Sequence, residues 1–226
     1  FCTYCIVPYV RGREKSRSAA VILDEVRSLV AAGYREITLL GQNVNSYRDG
    51  ETDFPALLDA VASVEGKFRV RFMTSHPKDF SARLVAVMKK HDKICNLLHL
   101  PAQSGSSRVL ALMNRRYTRE QYLEKIALLR AEIPEAEVTT DLIVGFPTET
   151  EEDFEQTLSL VREADFSSAF TFIYSPRTGT KAAQMDGQIP EEVSKRRIAR
   201  LIEQVNENTR RKSEAYVGKT IEVLCE

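Results

Sequence analysis

The sequence predicts an α/β fold, a partial (βα)6 barrel that lacks its first strand. Three observations lead there. Five short runs rich in β-branched or aromatic residues, each closed by Gly, Pro or Ser, alternate with amphipathic helical stretches. Strict alternation implies a parallel sheet with right-handed crossovers. The chain also begins with a loop and a helix instead of a strand, so one strand is expected upstream of Phe1, giving six βα units.

The elements follow in order. After the opening loop "FCTYCIVPYVRGRE", the stretch "SAAVILDEVRSLVAAG" (18–33) reads as a helix with Gly33 at its C′ position. Strands are expected at "REITLLG" (35–41), "RVRFMTS" (69–75), "CNLLHLP" (95–101), "EVTTDLIVGFP" (137–147) and "SAFTFIYSP" (168–176). Between them, helices are expected at "FPALLDAVASVEG", "SARLVAVMKKHD", "TREQYLEKIALLRAEIP" and "TEEDFEQTLSLVREAD". Thr118 and Thr150 sit at N-cap positions; Gln121 completes a capping box, while Asp153 in the equivalent place is not expected to. After a linker-like stretch at 176–190, residues 191–216 read as a long charged helix with a narrow apolar stripe, and "GKTIEVLCE" as one strand of a further β domain. The expected division is therefore 1–215 for the barrel core and 216–226 for the start of that second domain.

With 226 residues, the chain is long enough to bury a substantial core. The 32 basic residues balance 32 acidic ones, so a globally basic nucleic-acid binder is not signalled, although a local patch remains open. No apolar run approaches a membrane span and no signal-peptide pattern stands at the start; a cytoplasmic protein without membrane association is expected. In a reducing compartment, the Cys2/Cys5 pair reads as metal-binding or redox-active more readily than as a disulfide. Cys95 and Cys225 have no partner at ligand spacing and read as ordinary thiols.

Chemistry in a βα barrel gathers at the C-terminal ends of the strands. There the sequence offers 41–45 (GQNVN), 74–77 (TSHP), 101–105 (PAQSG) and 141–147 (DLIVGFP). This rim of amides, hydroxyls and glycines suits hydrogen-bonded capture of a polar small molecule better than acid–base catalysis. The cysteine loop belongs on the same rim. Thiolates favour zinc or iron–sulfur clusters, and two of them complete neither. A third cysteine just before Phe1 would complete the set; a non-catalytic zinc- and RNA-binding module is the competing reading.

The same loop resembles the tail of the C-x3-C-x2-C loop of radical S-adenosylmethionine enzymes. Together with "LLGQNVNSY", "TSHPKDF", "HLPAQSGSSRVLALMNRRYTREQY" and "TTDLIVGFPTETEEDF", nearly the whole chain resembles the methylthiotransferases of that group. Its likeness is greatest to the tRNA branch, which makes 2-methylthio-N6-isopentenyladenosine next to the anticodon (position 37). Sister enzymes act on a ribosomal-protein aspartate or on threonylcarbamoyl-adenosine. "VGKTIEVLCE" resembles the start of a TRAM domain, an RNA-binding β-barrel.

The resemblance implies a TIM-like radical SAM barrel, a 4Fe-4S cluster with Cys2 and Cys5 as two of its three ligands, and S-adenosyl-L-methionine on the remaining iron. Tyr4 is the aromatic that precedes the last ligand. Gln42 and Asn43 are implied at the methionine amino group, Gln103 and Arg115 at the ribose and carboxylate, and Asp141 at the ribose hydroxyls. Ser104 and Gly105 are implied in cofactor binding, with Gly145 beside the adenine. Arg11, Arg13 and Arg17 are implied as RNA contacts. A second 4Fe-4S cluster in an N-terminal domain absent from this sequence, a tRNA substrate and a flavodoxin or ferredoxin electron donor complete the implied system, so this chain alone is expected not to insert sulfur. Ordinary uses stand beside these roles. Gln103, Ser104 and Gly105 also suit a turn and helix cap, Asp141 a pair within the sheet, Arg115 a solvated helix end, and His76 and His99 structural positions.

Overall fold

The computed structural model describes residues 1–12 and 14–224, and all five expected strands are present in it. The chain runs through α1 (Val7–Arg11), α2 (Ala19–Ala31), β1 (Glu36–Leu39), a small hairpin of β2 (Arg48–Asp49) and β3 (Thr52–Asp53), α3 (Phe54–Ala62), β4 (Arg69–Phe72) and α4 (Ala82–Lys90). It continues through β5 (Leu97–His99), α5 (Ser107–Leu112), α6 (Arg119–Glu132), β6 (Glu137–Val144), α7 (Glu151–Ala164), β7 (Ser168–Ile173) and α8 (Glu191–Glu214). β1 pairs in parallel with β4, and β5, β6 and β7 pair in parallel with one another. A bridge between Val70 and Ile94 and the bond from Ser75 N to His99 O (3.3 Å) join the two sets.

The strand pattern decides which residues meet the helices. Along β6, burial alternates strictly: Val138, Thr140, Leu142 and Val144 are buried, while Thr139, Asp141 and Ile143 between them are half-buried. Phe54, Leu58, Leu84, Leu98, Leu129, Phe154 and Leu160 complete a core with no exposed surface. Each such side chain contributes about 1.5–3 kcal/mol on burial.

The helix ends follow their signals. Gly33 takes φ +92° and closes α2 in a Schellman motif, with Gly33 N on Val30 O (3.0 Å) and Tyr34 N on Leu29 O (3.1 Å). Thr118 and Gln121 form the expected capping box. The expectation for Thr150 is corrected, because Asp153 also completes a box: Thr150 N donates to Asp153 Oδ2 (2.8 Å) and Asp153 N to Thr150 Oγ1 (3.2 Å). A carboxylate in the first turn is additionally favoured by the helix dipole.

Other differences from the sequence reading have local causes. The β2/β3 hairpin is too short to leave a periodic signal, yet Asp49 on it accepts from Ala19 N (2.8 Å) and so caps α2. Residues 176–190 are not a free linker, since Thr180 and Ala182 are buried and Ala182 N donates to Thr3 O (3.0 Å). The buried stripe of α8 is not purely apolar: it consists of Ser194, Arg197, Leu201, Val205 and Asn208. Residues 216–224 form no strand, and a lone strand has no ladder to receive its backbone groups. Arg13 and Cys225 lie outside the described residues.

Candidate functional site

The cysteine loop is built onto the C-terminus of α5. That helix ends in a second Schellman motif, with Asn114 at φ +59°, Asn114 N on Ala111 O (2.9 Å) and Arg115 N on Leu110 O (2.8 Å). Its remaining end carbonyls are satisfied by the loop. Thr3 N donates to Met113 O (3.1 Å), and Thr3 Oγ1 to Leu112 O (3.0 Å). Asn114 Nδ2 donates to Phe1 O (2.7 Å). With Ala182 N bound from the opposite side, the loop backbone is held on both flanks. Cys5 N closes a tight turn on Cys2 O (3.2 Å), and both thiols are free and half-buried.

The Schellman turn also aims Arg115. Its Nη2 donates to the Tyr4 hydroxyl (3.0 Å), while its buried Nε has no partner among the described residues. Tyr4 packs edge-on to Phe146, ring centroids 6.3 Å apart, and burial pushes its hydroxyl up to about 12. It stays protonated at neutral pH.

These side chains open onto a cavity of about 770 Å³ at the C-terminal ends of the strands. Cys2, Tyr4, Cys5, Gln42, Asn43, Gln103, Arg115 and Asp141 all line it, so eight of the residues singled out from the sequence converge on one space. Gln103 is buried in a left-handed conformation (φ +70°) because its backbone is pinned to β6, with Gln103 N on Asp141 O (2.8 Å) and Ile143 N on Gln103 O (2.9 Å). Asn45 clamps the loop after β1 to the loop after β4: its Nδ2 donates to His76 O (2.8 Å) and its Oδ1 accepts from His76 N (2.7 Å). Burial, followed by the charge of Arg115, pushes His76 down to about 4, leaving the imidazole neutral. His99 Nε2 lies 3.5 Å from Asp141 Oδ1.

The remaining expected residues do not line this cavity. Ser104 and Gly105 are buried against α7, where Gly105 N donates to Thr157 Oγ1 (3.0 Å). A Cβ on Gly105 would lie 2.3 Å from Gln156 O, so the glycine serves helix packing. Gly145 (φ +74°) makes its close approach to Ser194 of α8, not to the cavity. Arg11 and Arg17 are exposed and do not line the cavity; Arg17 pairs with Glu25 at 2.7 Å. Sequence reasoning missed Asn114, whose only advance signal is an Asn just past a helical run, and the cavity residues Lys78 and Arg116.

Residues 1–161 match the profile of the Radical SAM superfamily. The chain belongs to the radical SAM superfamily. It is 54% identical to a tRNA-2-methylthio-N(6)-dimethylallyladenosine synthase of Clostridium botulinum (strain Okra), over 100% of this chain and 51% of the relative. It is 56% identical to the synthase of the same name from Moorella thermoacetica, over 100% of this chain and 52% of that one. The chain thus spans about half the length of the curated relatives it matches. Among solved structures, the radical SAM enzyme coproporphyrinogen III oxidase (HemN) of Escherichia coli superposes with a TM-score of 0.62 at 19% identity, over 84% of this chain and 46% of that one. That likeness supports the partial TIM-like barrel.

The cavity residues fit the cofactors of this superfamily. Cys2 and Cys5 stand together on the wall as soft donors suited to iron–sulfur ligation. Arg115 brings a guanidinium to the same wall, and its planar fork of donors suits a ligand carboxylate. Among the described residues no set of three or more His, Cys, Asp or Glu side chains converges to hold a metal.

Proposed function

We propose that the intact protein is a tRNA methylthiotransferase that places a methylthio group on carbon 2 of N6-isopentenyladenosine next to the anticodon. The observation that carries this reading is the convergence of Cys2, Cys5, Gln103, Arg115 and Asp141 on one cavity, in a chain more than half identical along its length to synthases of that modification. Cys2 and Cys5 hold two irons of a 4Fe-4S cluster. Arg115 takes the carboxylate of S-adenosylmethionine, Gln42 and Asn43 its amino group, and Gln103 and Asp141 its ribose. When bound, the cluster and S-adenosylmethionine supply a hydrogen-abstracting radical; the protein orients the reactants and excludes water. Tyr4 holds Arg115 in place. A flavodoxin or ferredoxin delivers the electron, a second cluster outside this chain supplies sulfur, residues 216–226 open a TRAM domain, and the enzyme works in the cytoplasm.

The test is the nucleoside profile of tRNA from a strain lacking this gene, with and without complementation. Loss of the 2-methylthio nucleoside and its return on complementation are expected. An unchanged tRNA profile, with the modification lost from a ribosomal protein, would overturn the substrate assignment.

A further inference from the structure

A second cavity of about 460 Å³ adjoins the rim cavity and shares Lys78 and Arg116 with it. Phe80, Tyr117 and Leu128 also line it, and Lys125 and Gln121 of α6 add polar groups to its wall. The Tyr117 hydroxyl turns inward to Ala102 O (3.0 Å), leaving the ring on the cavity side. Lys78, Arg116 and Lys125 face a single carboxylate there, Glu124.

Cations elsewhere are of two kinds: some, such as Arg162, stand singly without a carboxylate partner among the described residues, and others are neutralised within the chain. Arg71, Arg83, Arg119, Arg197, Arg200 and Arg211 each pair with a carboxylate. Among the described residues, Arg116 and Lys125 have no carboxylate within 4.0 Å, and Lys78 only touches Asp79 at 4.0 Å. Unpaired cations collected in a concave, partly apolar site raise the local concentration of anions. Arg116 is also held in position, because it follows Arg115 directly out of the α5 Schellman turn: Arg115 points at Tyr4 while Arg116 reaches the wall between the two cavities.

We infer that Lys78, Arg116 and Lys125 form a subsite for the RNA phosphodiester adjacent to the nucleotide held in the rim cavity. This rests on the tRNA reading above. A nucleoside drawn out of an RNA loop carries its flanking phosphates to the cavity mouth, and phosphate contacts fix register while the base is read inside. The two shared residues, Lys78 and Arg116, are exposed and line both cavities. Arg11 and Arg17, the cations singled out from sequence, line neither cavity.

Fluorescence anisotropy of a labelled anticodon stem-loop with the intact protein tests the subsite, read across a salt series. Arg116→Glu and Lys125→Glu should each weaken RNA binding about tenfold and flatten the log K against log salt slope by about 0.7–0.9. Lys125→Arg should retain both values, and Arg162→Glu, the same charge change on exposed α7, should leave both in place. Unchanged affinity and slope in the two cavity variants would overturn the subsite alone. A wild-type protein that fails to bind the stem-loop would overturn the tRNA reading with it. Equilibrium dialysis with inorganic phosphate separates the remaining source. A wild-type phosphate site lost in Lys125→Glu, with RNA binding untouched, would make the ligand a free phosphate and not an RNA.

Discussion

Arg115 Nη2 donates to the Tyr4 hydroxyl at 3.0 Å across 111 residues of sequence, and this bond ties the cysteine loop to the end of α5. Tyr4 lies between the two cysteines in sequence, so the bond orients the thiols as well as the guanidinium. Tyr4→Phe removes the acceptor of a charged donor, at a cost of about 1.5–3 kcal/mol. For a chain of this size each kcal/mol lowers Tm by roughly 2–4 °C. Arg115→Lys keeps the charge but loses the fork, and S-adenosylmethionine affinity measured by calorimetry should fall about tenfold or more.

Asn114 carries two separable duties, a left-handed backbone and the bond from its Nδ2 to Phe1 O. Asn114→Gly preserves the first and removes the second; it should keep Tm nearly unchanged while retaining less iron after reconstitution. Asn114→Val loses both, adding about 1–2 kcal/mol of backbone strain. Iron content and Tm measured side by side distinguish the two variants.

Gly105→Ala would push a Cβ to 2.3 Å from Gln156 O, a backbone atom that cannot rotate aside. Displacing α7 should cost about 1–3 kcal/mol or more. In the fraction that remains folded, S-adenosylmethionine affinity should match the wild type, because Gly105 does not line the cavity. A tenfold affinity loss at unchanged Tm would restore Gly105 to direct cofactor contact.

Glu149 joins the loop after β6 to α8. It accepts from Gly145 N and pairs with Arg197 at 3.1 Å. Burial pushes it up to about 7, against the pull of Gly145 N and Arg197, with Asp153 raising it further. Its folded pKa lies above its unfolded one, so its contribution to stability is complete below about pH 4.5 and is lost as pH rises towards 7. Asp153 acts in the opposite sense: although burial raises it, Arg108 and Ser106 hold it below the usual carboxylate range, so its contribution is lost only as pH falls through that depressed range. Glu149→Gln should therefore flatten Tm between pH 5 and 7. Arg197→Met strands a buried carboxylate and should cost about 3–5 kcal/mol at neutral pH. Thermal melts across that range check both.

Much of this architecture was legible because each strand left a period-two or continuous apolar run, as β6 does with its alternating burial. The residues that gather at the cavity were legible for a related reason: Gln42, Gln103 and Asp141 are polar groups at the very ends of such runs. What escaped depends on distant parts of the chain meeting. Asp49 caps α2 from 30 residues away, and Asn114 reaches Phe1 across 113. The helix contacts of Ser104, Gly105 and Gly145 were not legible, because a small residue looks the same in sequence whether a ligand or a helix approaches it. Here α7 and α8 make the approach.

The most direct measurement is anaerobic iron–sulfide reconstitution of the intact protein, followed by absorption and metal analysis. Broad brown absorbance from a thiolate-held iron–sulfur centre is expected, lost in Cys5→Ala and perturbed on adding S-adenosylmethionine in the wild type but not in Arg115→Gln. Stoichiometric zinc with no iron, indifferent to S-adenosylmethionine, would contradict it.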